Sequence, residues 1–264
     1  MDSYYQKLQS PDLPLNQIAH FEEHGFVVAP DVIPHAVLDA VIEEYNEVLD
    51  RLIDELYEKG EISSRFEGLP FGERFMKLVI ETGDVHKQYF DFSLPFMNCK
   101  IDTPFWAGQA VLNAFTAESL LDVVESLIGP EIYSNPVQHV RVKPPEQILP
   151  KNQFGNPILG ATHWHQDQGV VIEEADETRM LTVWFALEDV SLEQGPLRVV
   201  SGSHRDGLLT HCSNYHGNGP KMAGGRQIPE RLFEVKCTVP LPVKRGTVIL
   251  LHKQTIHGSL PNVS

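Results

Sequence analysis

Cysteine is scarce in this chain: Cys99, Cys212 and Cys237 are all there is in 264 residues. An odd number with no C-x-x-C spacing supports neither a disulfide framework nor a zinc ribbon, and it suits a reducing compartment. Basic residues are also in short supply, 21 Lys and Arg against 36 Asp and Glu, for a formal net charge of -15. Binding a phosphate backbone needs clustered cations that release counterions, so nucleic acid is not an expected partner. No apolar run approaches the length needed to span a bilayer, and the opening MDSYYQKLQSPDLP has neither the basic start nor the apolar stretch of a secretory signal. The final Asn-Val-Ser is not a peroxisomal address. The expectation is a cytoplasmic protein without a membrane partner.

What is present is enough chain for one large domain with a substantial core. FEEHGFVV, residues 21–28, ends in a short apolar run after glycine and is read as a first strand. From Pro34 the period changes: Val37, Leu38, Val41, Ile42, Tyr45, Val48, Leu49, Leu52, Ile53 and Leu56 recur at three- and four-residue steps, the stripe of a long amphipathic helix that Gly60 ends. Residues 61–115 scatter Phe66, Phe71, Phe75, Phe90, Phe92, Phe96, Phe105 and Trp106 among Gly and Pro, and read as helix and loop covering a pocket. Thr116 is placed to cap a helix carrying Leu120, Leu121, Val124 and Leu127, stopped by Gly129-Pro130. Strands are expected thereafter over 137–142, 180–187, 197–200, 235–241 and 247–251, with a long loop over 211–228. Helices first and short strands afterwards predict an α+β fold: one domain over 1–264, mostly helical to 128, then a double-stranded β-helix or jelly roll from 129.

The chemistry is concentrated in His163-Trp164-His165-Gln166-Asp167. Residues i, i+2 and i+4 of a strand share a face, so His163, His165 and Asp167 can point the same way. Two arrangements follow. Either His165 and Asp167 are paired ligands completed by a distant His, which leaves an octahedral metal with open positions. Or the run resembles the HxHxDH zinc signature of metallo-β-lactamase-fold hydrolases, broken here because Gln168 stands in its last position.

Two further segments give the run its context. These are Gly195-Pro196-Leu197 through Gly202-Ser203-His204, and Gly246 to His252 closed by His257-Gly258-Ser259. With them the chain resembles the phytanoyl-CoA dioxygenase family of Fe(II)/2-oxoglutarate oxygenases, well over 120–264 and loosely before that. The resemblance implies His165, Asp167 and His257 as iron ligands; His252 competes for the distal place, but the Gly-Ser after His257, and Asn262, match the family segment. It also implies co-substrate contacts from Gln138, Trp184 and Ser259, and it moves His163 to the wall of the site. The family places an arginine about ten residues beyond the distal histidine, where its fork grips a carboxylate. This sequence stops at Ser264, before that position, so the expectation is an arginine shortly beyond it, with Arg141, Arg179 or Arg198 as substitutes.

The implied activity is oxidation, by hydroxylation or a related reaction, of a small and largely apolar molecule such as a secondary metabolite or acyl substrate. 2-Oxoglutarate and O2 are consumed, and succinate and CO2 formed. A halogenase would lack the carboxylate that Asp167 supplies. The competing functions are a zinc-dependent hydrolase using His163, His165 and Asp167, and a non-catalytic subunit of a related oxygenase. The chain could act as a homo- or hetero-dimer.

Overall fold

The computed structural model describes residues 13–90, 108–135, 139–151, 155, 157, 160–171, 173–213 and 226–264. Helix α1, Leu15–His24, meets strand β1, Phe26–Ala29, at Gly25. The φ of 76° at Gly25 lets its N–H close the helix on the Phe21 carbonyl at 2.8 Å, a left-handed cap that suits glycine. Residues 21–24 are therefore the last turn of a helix, and only the apolar end of FEEHGFVV is strand.

The amphipathic stripe forms α2, His35–Glu58, and buries Leu38, Val41, Tyr45, Val48, Leu49, Leu52, Ile53 and Leu56. Helices α3, Phe71–Thr82, α4, Lys87–Phe90, α5, Gln109–Phe115, and α6, Glu118–Ile128, follow. Phe75 and Phe90 are fully buried, with ring centroids 4.9 Å apart edge to face, so these two aromatics fill the helical core. Phe92, Phe96, Phe105 and Trp106 lie outside the described residues. Thr116 does not cap α6: its hydroxyl donates to the Leu112 carbonyl at 2.9 Å and closes α5, and Ala117 takes the cap position without a side-chain bond.

Six of the β strands build two three-stranded antiparallel sheets. One has the order β1-β7-β2, with β2 Leu181–Phe185 and β7 Val248–His252. The other has the order β6-β3-β8, with β3 Leu197–Val200, β6 Thr238–Leu241 and β8 His257–Ser259. Val248 to Leu251 are each 0% exposed because the central strand is covered on both faces, which explains the unbroken apolar run. Val248 and Leu250 pack with Leu38 of α2 and Leu120, Val123 and Val124 of α6. Ile249 and Leu251 face the other way, onto Val199 and Leu241 of the second sheet. This is the double-sheet jelly roll with helices on one outer face.

Departures from the expected strands are local. Residues 139–142 form no strand, and Val235–Cys237 is a 3-10 turn before β6. The expected loop over 211–228 carries a short ladder, β4 Cys212–Ser213 against β5 Arg226–Gln227. Among the described residues no helix is long and apolar enough to cross a membrane.

Candidate metal centre

The His-x-Asp segment extends the second sheet. His165 and His257 lie opposite each other in an antiparallel bridge and exchange both N–H···O bonds, each 2.9 Å. Residues paired this way project to the same face, so the backbone itself brings two imidazoles together, with ring centroids 4.2 Å apart. Asp167, two residues on, opens a 3-10 turn, Asp167–Val170, and returns its carboxylate to that face. His165 Nε2 is 3.5 Å from Asp167 Oδ1, and His257 Nε2 is 3.6 Å from Asp167 Oδ2. Among the described residues these three form the group able to hold a metal, their ligand atoms all within 4.8 Å of one another.

The orientation of each ring is fixed from behind. His165 Nδ1 donates to the His163 carbonyl at 2.8 Å, and His257 Nδ1 donates to the Thr255 carbonyl at 3.0 Å. A carbonyl can only accept, so each neutral ring carries its proton on Nδ1 and turns the Nε2 lone pair toward the centre. Thr182 of β2 donates its hydroxyl to Asp167 Oδ2. Burial alone would raise the Asp167 carboxyl, but His257, His165 and Thr182 outweigh it and hold the group well below the usual carboxylate range. Burial pushes His257 down to about 4 although Asp167 opposes the shift. For His165 burial acts the same way, yet Asp167 prevails and its pKa is raised. Two neutral-capable imidazoles and one ionised carboxylate, already converged, are a donor set that fits Fe(II).

The other expected residues separate clearly. His163 is exposed and contributes only its carbonyl. His252 ends β7 in the first sheet, with its ring 5.2 Å from His204 and away from the triad. Ser259 is buried two residues beyond His257; its Oγ accepts from the Thr162 amide at 2.8 Å and from Lys143 Nζ at 3.0 Å. Trp184 is half-buried on β2, two residues from Thr182, and packs in the layer between the sheets. Gln138 lies outside the described residues. Asn262 is structural: it donates to the Lys143 carbonyl at 2.7 Å and accepts from the Ser264 amide at 3.0 Å.

Of the three arginines offered as substitutes, Arg198 pairs with Gly258 and stacks its guanidinium 4.0 Å over Trp164, while Val199 beside it is the residue opposite His257. Alternation puts Arg198 on the outer face. Arg179 donates to the Ile128 carbonyl at 3.4 Å. Arg141 donates to Thr162 Oγ1 at 2.7 Å, beside the Ser259 contact. The cation at Ser259 is Lys143, which sequence reasoning read only as the start of a Pro-Pro turn. A cavity of about 310 Å³ lies elsewhere, lined by Asn16, Gln17, His20, Val27 and Val28, and holds none of the triad.

Comparison with known proteins places this geometry in context. A family profile described as Phytanoyl-CoA dioxygenase (PhyH) matches residues 21–264. Phytanoyl-CoA dioxygenase domain-containing protein 1 of Rattus norvegicus is 34% identical over 120 residues, 44% of this chain and 38% of that protein. Its Bos taurus counterpart is 24% identical over 264 residues, 94% of this chain and 85% of that protein. The chain thus spans well under two thirds of the rat protein. Among solved structures, EctD from S. alaskensis, crystallised with 2-oxoglutarate and 5-hydroxyectoine, superimposes with a TM-score of 0.56 at 17% identity, covering 97% of this chain and 73% of that one. At that identity the likeness speaks to the fold.

Proposed function

The chain belongs to the phytanoyl-CoA dioxygenase family, and on that premise we propose that it is an Fe(II)- and 2-oxoglutarate-dependent dioxygenase that oxidises a small, largely apolar molecule and forms succinate and CO2. The observation that carries the reading is the convergence of His165 Nε2, His257 Nε2 and both oxygens of Asp167, with each ring pinned through Nδ1. These three side chains would hold the iron. When bound there, Fe(II) supplies the one-electron chemistry with O2 and 2-oxoglutarate that side chains lack.

The chain's own residues do the rest. His257 stays neutral at physiological pH because it is buried, so its lone pair is ready for a cation without loss of a proton. Thr182 keeps the Asp167 carboxylate turned toward the two rings. Ser259 uses its oxygen to accept from Thr162 and Lys143, which leaves its proton to donate to the far carboxylate of 2-oxoglutarate, with the Lys143 ammonium, 3.0 Å from the Ser259 oxygen, as counter-charge. Trp184 and Gln138 are assigned to the walls of the co-substrate site. Residues 1–264 form one oxygenase domain in this reading. Cys212 and Cys237, exposed and free, suit a cytoplasmic setting.

The test is anaerobic addition of Fe(II) and then 2-oxoglutarate, read as a weak visible charge-transfer band, followed by succinate detection during substrate screening. The band should survive His163→Ala and vanish in His257→Ala. A protein that needs His163 and not His257, and purifies with zinc, would instead be the hydrolase. No band and no succinate from intact protein would leave the non-catalytic subunit.

A further inference from the structure

The ligand triad is assembled from two arms of the chain, His165 with Asp167 on one and His257 at the end of the β7–β8 connection on the other. Beside the ligands are two glutamines: alternation sends the extended Gln166 to the opposite side, and Gln168 lies in the 3-10 turn that Asp167 opens. Gln166 is 0% exposed and Gln168 is 9% exposed. Neither was singled out by its sequence context, except that Gln168 interrupts a zinc signature.

Three hydrogen bonds run from this pair to residues 253 and 254, just ahead of His257. Gln166 Nε2 donates to the Gln254 carbonyl at 2.6 Å, the Gln168 amide donates to the Lys253 carbonyl at 3.1 Å, and Gln254 Nε2 donates to Gln168 Oε1 at 2.8 Å. The remaining valences are also used. Gln166 Nε2 donates to the Gly207 carbonyl at 2.8 Å, and its Oε1 accepts from the Leu209 amide at 2.8 Å. Gln168 Nε2 donates to Asp176 Oδ1 at 2.8 Å. Lys253 Nζ donates to the carbonyls of Asp176 and Thr178. Ser203 accepts from the Ile256 amide at 2.9 Å and holds the same connection one residue before the ligand.

An amide is the side chain suited to this place. It both donates and accepts, and it adds no net charge beside a cation site whose charge is set by Asp167. A carboxylate at 166 would face two carbonyl oxygens that need donors. The bridge between His165 and His257 fixes one end of the pairing between the arms; the glutamines fix the other, across the turn that carries Asp167.

We propose that Gln166, Gln168 and Gln254 are positioning residues for the metal, a neutral web that locks the two ligand arms together so that the triad is formed before the ion arrives. The proposal rests on the reading that the triad holds iron. Its test measures the dissociation constant for Co(II) or anaerobic Fe(II) by chelator competition in the wild type, Gln168→Ala, Gln254→Ala and the double variant, alongside the thermal midpoint of each metal-free protein. Gln166→Glu is added where it folds, and the half-buried Gln254 keeps the test available where it does not.

The expected result is a 10- to 100-fold loss of metal affinity in each single variant, the range seen when outer partners of ligands are removed. The double variant should lose little more than either single one, since both break the same link. The metal-free midpoints should move far less than the affinities. Affinities within twofold of wild type would overturn the proposal and leave the oxygenase reading standing, as would losses that track the metal-free midpoint. Failure of the wild type itself to bind either ion would instead overturn the oxygenase reading.

Discussion

Raising the pH from 7 to 9 is expected to weaken 2-oxoglutarate binding well before an ordinary lysine would titrate. Lys143 Nζ donates to Ser259 Oγ and the Gly195 carbonyl, each at 3.0 Å, and to the Leu260 carbonyl. Burial pushes its pKa from 10.5 down to about 8, with Glu146 partly offsetting the shift and Arg141 and Arg198 adding to it. With its three protons on these acceptors, the ammonium acts on the far carboxylate through its charge; if only the charged form supports binding, the apparent dissociation constant scales as one plus the ratio of neutral to charged lysine. At pH 7 that factor is about 1.1 and at pH 9 about 11, so affinity falls about tenfold over two pH units. The sign for folding is opposite. A lysine whose folded pKa is depressed costs stability while it is charged, and this cost is relieved as pH rises from about 8 to 10.5. Loss of binding from this group therefore cannot be loss of the fold. The assay is calorimetric titration of 2-oxoglutarate into anaerobic, Mn(II)-loaded protein at pH 7, 8 and 9, with Lys143→Met as control. The wild type should approach a slope of one logarithm per pH unit, and the variant should be weak and flat. A flat wild type, or an equal slope in Lys143→Met, would refute the role given to this ammonium.

Two other perturbations probe separate parts of the structure. Gly25→Ala puts a side chain at φ 76° and a Cβ 2.5 Å from Thr255 Oγ1, crowding the His204 ring as well; the backbone cost alone is about 1–2 kcal/mol, and an unchanged urea midpoint would show that the close approach is not real. Thr182→Val keeps the shape of β2 but removes the donor to Asp167 Oδ2. Metal affinity by chelator competition should fall about 10- to 100-fold, whereas unchanged affinity would mean that the two imidazoles alone orient the carboxylate.

The parts of the fold legible in the sequence are those whose burial follows a period. The α2 stripe satisfies the helical repeat over about five turns, and β3 has the expected bounds, 197–200, between a Gly-Pro turn and a Gly-Ser-His turn. Where end chemistry decides, reading fails. Thr116 suits an N-cap by composition, but its hydroxyl returns to its own helix through the Leu112 carbonyl. The charged residues before Gly25 belong to a helix whose 10 residues bury Phe21 alone, too faint a stripe to register as a period.

The site divides along the same physical line. His165 and Asp167 are two residues apart, so any extended backbone joins them and the sequence alone can propose the pair. Choosing His257 over His252 is a question of which sheet each occupies. His252 ends β7 in the first sheet and His257 begins β8 in the second, only five positions later, and no local pattern tells the two apart. The resemblance to a family favours His257 because it carries register information that a single chain does not. The residues that neither route found, Gln166, Gln254 and Lys143, bond across the fold: Gln166 to Gln254 over 88 positions, and Lys143 over 116 positions to Ser259, which the resemblance did name. Such bonds have no sequence period and no compositional cost, since glutamine and lysine are ordinary surface residues. Only their bonds in the folded chain mark them, which is why the candidate ligands could be proposed before the fold was known and the groups bonded around them could not.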